Sequence, residues 1–269
     1  MKFDITIWGE ATEVIRKNLA IFAVVVGTLW LLDIVIYAMK PEADASQAPT
    51  FIVGMYLAIA CHVTVLRNVS GFKAVGSLEK WAFFRFWLRG FAVAMVSFIP
   101  ALFILVPMLS IPEVKAADET VRYVFVMVVT LAFYGLCTLV MLGLFGTWMP
   151  AAVMADGSSI KRAFARGRKT IGYVMSRLII GPGANILLFL ATVFLLPAQF
   201  SEAIRTYTIQ AGNLKFVPFD MAMNGFGYLV WATGIVLVAV VLSRAYQLGE
   251  ARLADGNEPE GELKEAEAI

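Results

Sequence analysis

Six long apolar runs constrain this chain more than any other feature of its sequence. They cover residues 19–38, 51–67, 90–111, 122–146, 173–197 and 225–247. A helix needs roughly 20 mostly apolar residues to cross a bilayer, and each run is close to that length. Backbone polar groups in hydrocarbon must be satisfied internally, and helices achieve this within one segment. We therefore predict an all-α, polytopic integral membrane protein with six transmembrane helices.

Composition supports the same class and gives no indication of catalysis. Hydrophobic residues make up 60% of the chain, against about 45–50% in soluble domains, and the mean hydropathy is +0.78. With one His and two Cys, the sequence contains no clustered zinc-ligand pattern. It also has no phosphate-binding glycine loop, G-x-S-x-G or H-E-x-x-H motif. We predict a non-enzymatic protein without a metal or cofactor.

Basic residues are concentrated in alternate connectors, and this asymmetry predicts the orientation. The N-terminus, the second and fourth connectors and the C-terminal tail hold 17 of the 22 Lys and Arg. The remaining five are Lys40, Lys115, Arg122, Arg205 and Lys215. By the positive-inside rule both termini are cytoplasmic. We expect residues 1–248 to form a single membrane domain, and the acidic residues 249–269 to form a disordered tail.

Three cytoplasmic segments, 2–18, 72–89 and 156–172, are amphipathic, and each precedes two apolar runs. In the last of them an apolar stripe recurs at helical spacing with the cations opposite: Ile160, Ala163, Phe164, Gly167, Ile171 and Val174. We predict interfacial helices that bind anionic lipid. The candidate headgroup ligands are Lys161, Arg162, Arg166, Arg168, Lys169, Arg85 and Arg89. The pattern suggests three units of an interfacial helix plus a hairpin.

One stretch, WMPAAVMADGSSIKRAFARGRKTIGYV, resembles a known pattern. Uncharacterised six-helix bacterial inner-membrane proteins have a Pro near a span's end, then an acidic residue, then a cytoplasmic amphipathic helix. They are related to the membrane domain fused to some glycerophosphodiester phosphodiesterases. The matching positions are Pro150, Asp156, Ala163, Gly167 and, after the last span, Tyr246. The resemblance implies the six-helix fold and a multi-pass location in the bacterial inner membrane.

Polar or helix-breaking residues inside the spans are candidate ligand or ion sites, each with a structural alternative. Asp33 is either an ion or proton site or a hydrated structural position. His62 is either a haem or pigment ligand or a hydrogen-bonding residue, and Asn185 is typical of interhelical hydrogen bonds. Gly181, Pro182 and Gly183 predict a broken fifth span, as in transporter substrate sites, or a bend where an interfacial helix becomes a span.

These features leave three candidate functions. The first is a non-enzymatic inner-membrane protein that binds anionic lipid and scaffolds or assists a larger membrane complex. The alternatives are a small-molecule or lipid transporter that uses the broken fifth helix, and a pigment- or haem-binding subunit that uses His62. The predicted partners are membrane phospholipids, with other membrane proteins or a second copy of the chain as further candidates. The basic segments are short and apolar on one face, so nucleic acid is not expected.

Overall fold

The predicted all-α membrane class is confirmed. A computed structural model describes residues 7–39, 47–108, 110–112, 118–155, 159–212 and 214–255. Within those ranges, 6 helices are long and apolar enough to cross a membrane. Asp156, one of the positions that carry the resemblance, and tail residues 256–269 lie outside the described residues.

The helices are numbered in chain order. They are α1 (Ile7–Lys17), α2 (Leu19–Met39), α3 (Gln47–Arg67), α4 (Phe72–Gly76), α5 (Lys80–Met108), α6 (Glu119–Phe145), α7 (Trp148–Val153), α8 (Ile160–Leu178), α9 (Ala184–Leu195), α10 (Glu202–Arg205) and α11 (Pro218–Asp255). A π-helical segment, Ile179–Gly183, joins α8 to α9. Between α10 and α11, strands β1 (Ile209–Ala211) and β2 (Leu214–Phe216) pair antiparallel, with Ile209 opposite Phe216. This hairpin adds a small β element to the polar loop that precedes the last span.

Two helices extend well past the spans predicted for them. The basic segment is continuous with the fifth span, because α8, the π-helical segment and α9 follow one another directly. At 1.5 Å per residue they are together roughly 50 Å long, against about 30 Å for a hydrocarbon core. The continuous helix is therefore longer than a hydrocarbon core is thick. Helix α11 continues to Asp255, so residues 249–255 are helical where we expected the disordered tail.

The chain groups into two compact units, and the expected single membrane domain over residues 1–248 stays a prediction. The first unit comprises Met1–Phe83 and Ser176–Val241, and the second comprises Phe84–Met175 and Leu242–Ile269. Each unit combines segments that are distant in sequence. The three proposed units of an interfacial helix plus a hairpin stay a prediction.

In the first unit, α1 is packed by its apolar face. Ile7, Ala11 and Val14 are buried, and α1 contacts both α2 and α3. Ile7 also packs against Gly181. A Cβ added to Gly181 would lie 2.8 Å from Ile7 Cδ1. The sequence led us to expect this face to enter the lipid interface, but its apolar side chains instead contribute to the protein core.

A buried asparagine connects the α1–α2 junction to the end of α3. Asn18 Nδ2 donates to Val14 O and to Thr64 Oγ1, both at 2.9 Å. Its Oδ1 accepts a hydrogen bond from Gly71 N at 2.8 Å. Gly71 has a φ of 66°, a left-handed conformation that glycine adopts without steric cost. The side chain of Asn18 therefore hydrogen-bonds to a backbone carbonyl of α1 and to a backbone amide of the loop before α4.

In the second unit, small residues let α8 approach the end of α6 closely. A Cβ on Gly167 would lie 2.0 Å from the carbonyl oxygen of Leu144. The buried face of α8 consists of Ala163, Arg166, Gly167, Thr170 and Val174. It therefore includes one of the cations that we placed on the opposite face. Ile160 and Phe164, from the predicted apolar stripe, are instead exposed.

We expect Gly167→Ala to lower the free energy of unfolding by about 1–3 kcal/mol, because the added methyl group meets backbone that cannot move aside cheaply. The matched control is Gly172→Ala on the same helix, where an added Cβ has nothing within 4 Å. That change should be neutral or stabilising by up to about 1 kcal/mol, since Ala favours the helix. Thermal unfolding of the two purified variants in detergent measures the difference. Equal midpoints would show that the close approach is not required.

We expect Asn18→Ala to destabilise the protein by about 1–3 kcal/mol, because buried groups lose their hydrogen-bond partners. Thr12→Ala is the control: Thr12 Oγ1 donates to Trp8 O at 2.8 Å, four residues back, but at an exposed position. Its loss should change stability by less than about 0.5 kcal/mol. Thermal unfolding again provides the measurement. A loss no larger than that of the control would contradict the role given to Asn18.

Candidate functional site

Arg166 is the largest fully buried side chain among the described residues. Its Nε and Nη2 donate to Thr147 Oγ1 and Thr147 O, both at 3.4 Å. Its Nη1 lies 2.5 Å from Glu250 Oε1. A guanidinium presents its donors in a fixed planar fork, so it can satisfy a hydroxyl, a carbonyl and a carboxylate together. This charge is therefore compensated within the second unit.

Aromatic and glycine residues of α11 complete the environment of Arg166. The guanidinium lies over the ring of Tyr246, with its carbon 4.8 Å from the ring centroid, a cation–π geometry. One turn further along α11, a Cβ on Gly249 would lie 2.8 Å from Arg166 Cβ. Only a residue without a side chain permits this approach. The C-terminal turns of α11 are thereby packed directly on α8.

Glu250 binds a second arginine of α8. Arg162 Nη2 lies 2.5 Å from Glu250 Oε2, and Arg162 Nε lies 3.2 Å from Oε1. The side chain of Arg162 is 54% exposed and that of Glu250 is 25% exposed. Two guanidiniums, one enclosed and one open to the surface, therefore share one carboxylate. We call Arg162, Arg166 and Glu250 the arginine clamp.

Another arginine of the second unit is largely buried. Arg89 Nη1 donates to the carbonyl of Trp148 at 2.7 Å, and its guanidinium carbon lies 5.2 Å from the Trp148 ring centroid. Arg166 binds the carbonyl of the preceding residue, Thr147. Two arginines thus hold the junction of α6 and α7, at Thr147 and Trp148, and the sequence predicts both to bind headgroups. Arg85 is half-buried.

The remaining cations of α8 are at the surface. Lys161, Arg168 and Lys169 are exposed, as are Ile160 and Phe164. At 100° per residue, Lys161 and Arg168 are about 20° apart around the helix axis, with Phe164 beside them. We call these five residues the outer face of α8. Of the predicted headgroup ligands, Arg166 and Arg89 are occupied inside the protein, while Lys161, Arg168 and Lys169 are exposed.

Asp33 lies in the first unit, in a polar contact between α2 and α11. Its Oδ2 accepts a hydrogen bond from Asn224 Nδ2 at 2.7 Å, at an exposed position. Nearby, Trp30 Nε1 donates to the carbonyl of Met221 at 2.8 Å. These two bonds join the C-terminal half of α2 to the first turns of α11. The geometry suits the structural alternative for Asp33, and its role in ion or proton binding stays a prediction.

The sequence Gly181-Pro182-Gly183 does not interrupt the fifth span. Ala184 N donates to the carbonyl of Ile179, a bond to the fifth residue back, which is the π-helical pattern. Proline removes one donor from a helix and clashes with a preceding carbonyl, and the wider π turn accommodates this. The predicted break is therefore a helical irregularity, and the chain continues directly into α9.

His62 and Asn185 occupy buried positions of the first unit. Asn185 Nδ2 donates to the carbonyl of Val230 at 2.8 Å. This bond joins α9 to α11 and suits the interhelical alternative for Asn185, whose role as a ligand or ion site stays a prediction. His62 lies on α3 and is buried, and its proposed binding of haem or pigment stays a prediction.

These features define a multi-pass, all-α membrane protein with a buried arginine clamp and an exposed basic face on the same helix. No protein-family model matches the chain, and comparison with curated proteins and with solved structures found no match.

Sequence reasoning overlooked Glu250, Thr147 and Gly249. Glu250 was counted as part of an acidic tail, although it follows Tyr246 by four residues, as Arg166 follows Arg162. Side chains four apart share one helix face. Tyr246 and Glu250 therefore share one face of α11, and Arg162 and Arg166 share one face of α8. An acid and an aromatic on one helix could thus have been matched from the sequence with two arginines on the other. Three residues of the resemblance, Ala163, Gly167 and Tyr246, lie at or beside the clamp.

We expect Arg166→Lys to destabilise the protein by about 1.5–3 kcal/mol, because an ammonium cannot reproduce the fork that reaches Thr147 and Glu250 together. Arg168→Lys, two residues away on the exposed face, should change stability by less than about 0.5 kcal/mol. Thermal unfolding in detergent compares the two variants. If Arg166→Lys is as stable as Arg168→Lys, the clamp does not require an arginine.

Proposed function

We propose that this protein is a non-enzymatic membrane protein of the bacterial inner membrane that binds anionic phospholipid and scaffolds or assists a larger membrane complex. The observation that carries the proposal is the outer face of α8, where Lys161, Arg168 and Lys169 lie beside exposed Ile160 and Phe164. Cations next to apolar side chains on one helix face suit a surface where phosphate lies above acyl chains.

Distribution of charge favours lipid phosphate as the ligand. Helix α8 lies in a connector that the positive-inside rule assigns to the cytoplasmic side. Juxtamembrane cations at that surface attract anionic lipid, each by about 1 kcal/mol. The continuous helix formed by α8, the π-helical segment and α9 is too long to lie wholly within the hydrocarbon core, so we place its basic half in the headgroup region or the water beyond it. The bacterial inner membrane is proposed from the family resemblance.

Scaffolding is supported by the way α8 is held. Its buried face is packed on Leu144 through Gly167 and on α11 through Arg166. A helix fixed on one side presents its other side in a constant orientation. Such a face can bind lipid and display the headgroup-bound surface to another membrane protein or to a second copy of the chain.

The alternatives have less support. A transporter that uses a broken fifth helix would need exposed backbone groups, whereas the π-helical segment keeps the Ala184–Ile179 hydrogen bond. A pigment or haem subunit would need room for the bound group beside His62, and the protein already buries that side chain. Both alternatives stay predictions, and a colourless purified protein would count against the second.

We expect neutralisation of three cations, Lys161→Gln, Arg168→Gln and Lys169→Gln together, to reduce the phosphatidylglycerol that copurifies with the protein. Each removed charge should weaken attraction by about 1 kcal/mol at low salt. Native mass spectrometry of gently extracted protein counts the retained lipid. Added salt should weaken the wild-type protein's retention in the same direction, because surface charges are screened.

The matched control neutralises three cations that the charge pattern assigns to the opposite side: Arg122→Gln, Arg205→Gln and Lys215→Gln. This variant loses the same net charge and should retain wild-type amounts of phosphatidylglycerol. Equal loss of lipid in both triple variants would show that net charge, rather than the outer face of α8, controls retention. Retention unchanged in the first variant would overturn the proposed function.

A further inference from the structure

The arginine clamp holds its carboxylate in a way that also suits a phosphate. Arg162 and Arg166 place three donor nitrogens within 2.5–3.2 Å of the two Glu250 oxygens. Guanidinium groups bind carboxylate and phosphate by the same parallel donor geometry. The clamp has two positive charges and one negative charge, so a net positive charge remains. An anion from the membrane surface therefore finds both matching donors and a favourable field.

The clamp has a closed wall and an open side. Arg166 is completely enclosed, while Arg162 is 54% exposed and Glu250 25% exposed. Around the helix axis, Arg162 lies about 20° from Lys169 of the outer face, two turns away. A headgroup attracted to the outer face is thus brought to the open side of the clamp.

Arg166 requires an anion, but the anion need not be Glu250. An enclosed guanidinium that loses its counter-charge is strongly destabilised. A phosphate in place of the carboxylate keeps that charge compensated and frees Glu250 to enter water. Exchange of one anion for another is therefore possible where simple loss of the anion is not.

We propose that Arg162 and Arg166 form a phosphate site that Glu250 occupies in the absence of lipid, and that a phospholipid headgroup displaces Glu250 and releases the end of α11. The inference rests on the proposed function and adds regulation of the same surface. Glu250 and Arg252, which donates to the carbonyl of Lys169, join the last turns of α11 to α8. Because lipid binds the clamp only after Glu250 leaves, binding and release are reciprocally coupled.

Hydrogen exchange of the full chain in nanodiscs tests this coupling. In phosphatidylcholine the amides of residues 247–255 should be protected. Addition of phosphatidylglycerol should raise their exchange rate several-fold, while the buried stretch 236–242 stays protected. A parallel sample receives inorganic phosphate instead of anionic lipid. A rise with phosphate alone assigns the site to free phosphate, and a rise only with phosphatidylglycerol assigns it to the headgroup.

Two variants separate the clamp from the outer face. Arg162→Gln removes one half of the site but leaves the Arg166–Glu250 pair, so lipid should no longer raise exchange at 247–255. Lys161→Gln is the neighbouring control, and it should need more phosphatidylglycerol but reach the same plateau. Glu250→Gln should show high exchange without lipid, and protection of 236–242 reports whether it is folded.

The inference and the proposed function fail in different ways. If the wild-type chain retains phosphatidylglycerol but exchange at 247–255 is unchanged, displacement of Glu250 is excluded and lipid binding stands. An equal rise in Arg162→Gln would likewise overturn the site. If no phosphatidylglycerol is retained over phosphatidylcholine, the proposed function fails, and the inference fails with it.

Discussion

Burial of the Arg166 charge organises the second compact unit. A guanidinium with no exposed surface must find its counter-charge and its acceptors inside the protein, because desolvation otherwise makes it prohibitively unstable. Thr147, from the connector after α6, and Tyr246 and Glu250, from the end of α11, provide these partners. The connector after α6, the basic helix α8 and the end of α11 are consequently held in one arrangement.

That arrangement depends on residues that have little or no side chain. Gly167 lets α8 approach the backbone of Leu144, and Gly249 lets α11 approach Arg166. Close contact between backbones is a general means of helix association where lipid competes for apolar side chains. The polar contacts around Arg166 are therefore possible only because glycines bring the helices near enough.

Cations of one helix serve two separate purposes. Arg166 is enclosed and stabilises the unit, while Lys161, Arg168 and Lys169 face outward. Arg162 stands between the two groups, since it binds Glu250 yet has about half of its side chain exposed. This graded exposure makes a physical connection between the outer face of α8 and the end of α11. A basic segment therefore need not act as a uniform lipid-binding patch.

The six spans and the all-α class could be predicted from sequence, because hydrocarbon demands local runs of apolar residues and internal backbone hydrogen bonds. The buried face of α8 could not. Its apolar stripe centres near Ile160, whereas the buried face is turned by about 60° towards Arg166. The enclosed charge of Arg166 and the close approach at Gly167, rather than burial of Ile160 and Phe164, set the rotation of α8. Sequence periodicity thus determined that α8 is amphipathic, and only tertiary packing of Gly167 and Glu250 decided which cation is enclosed.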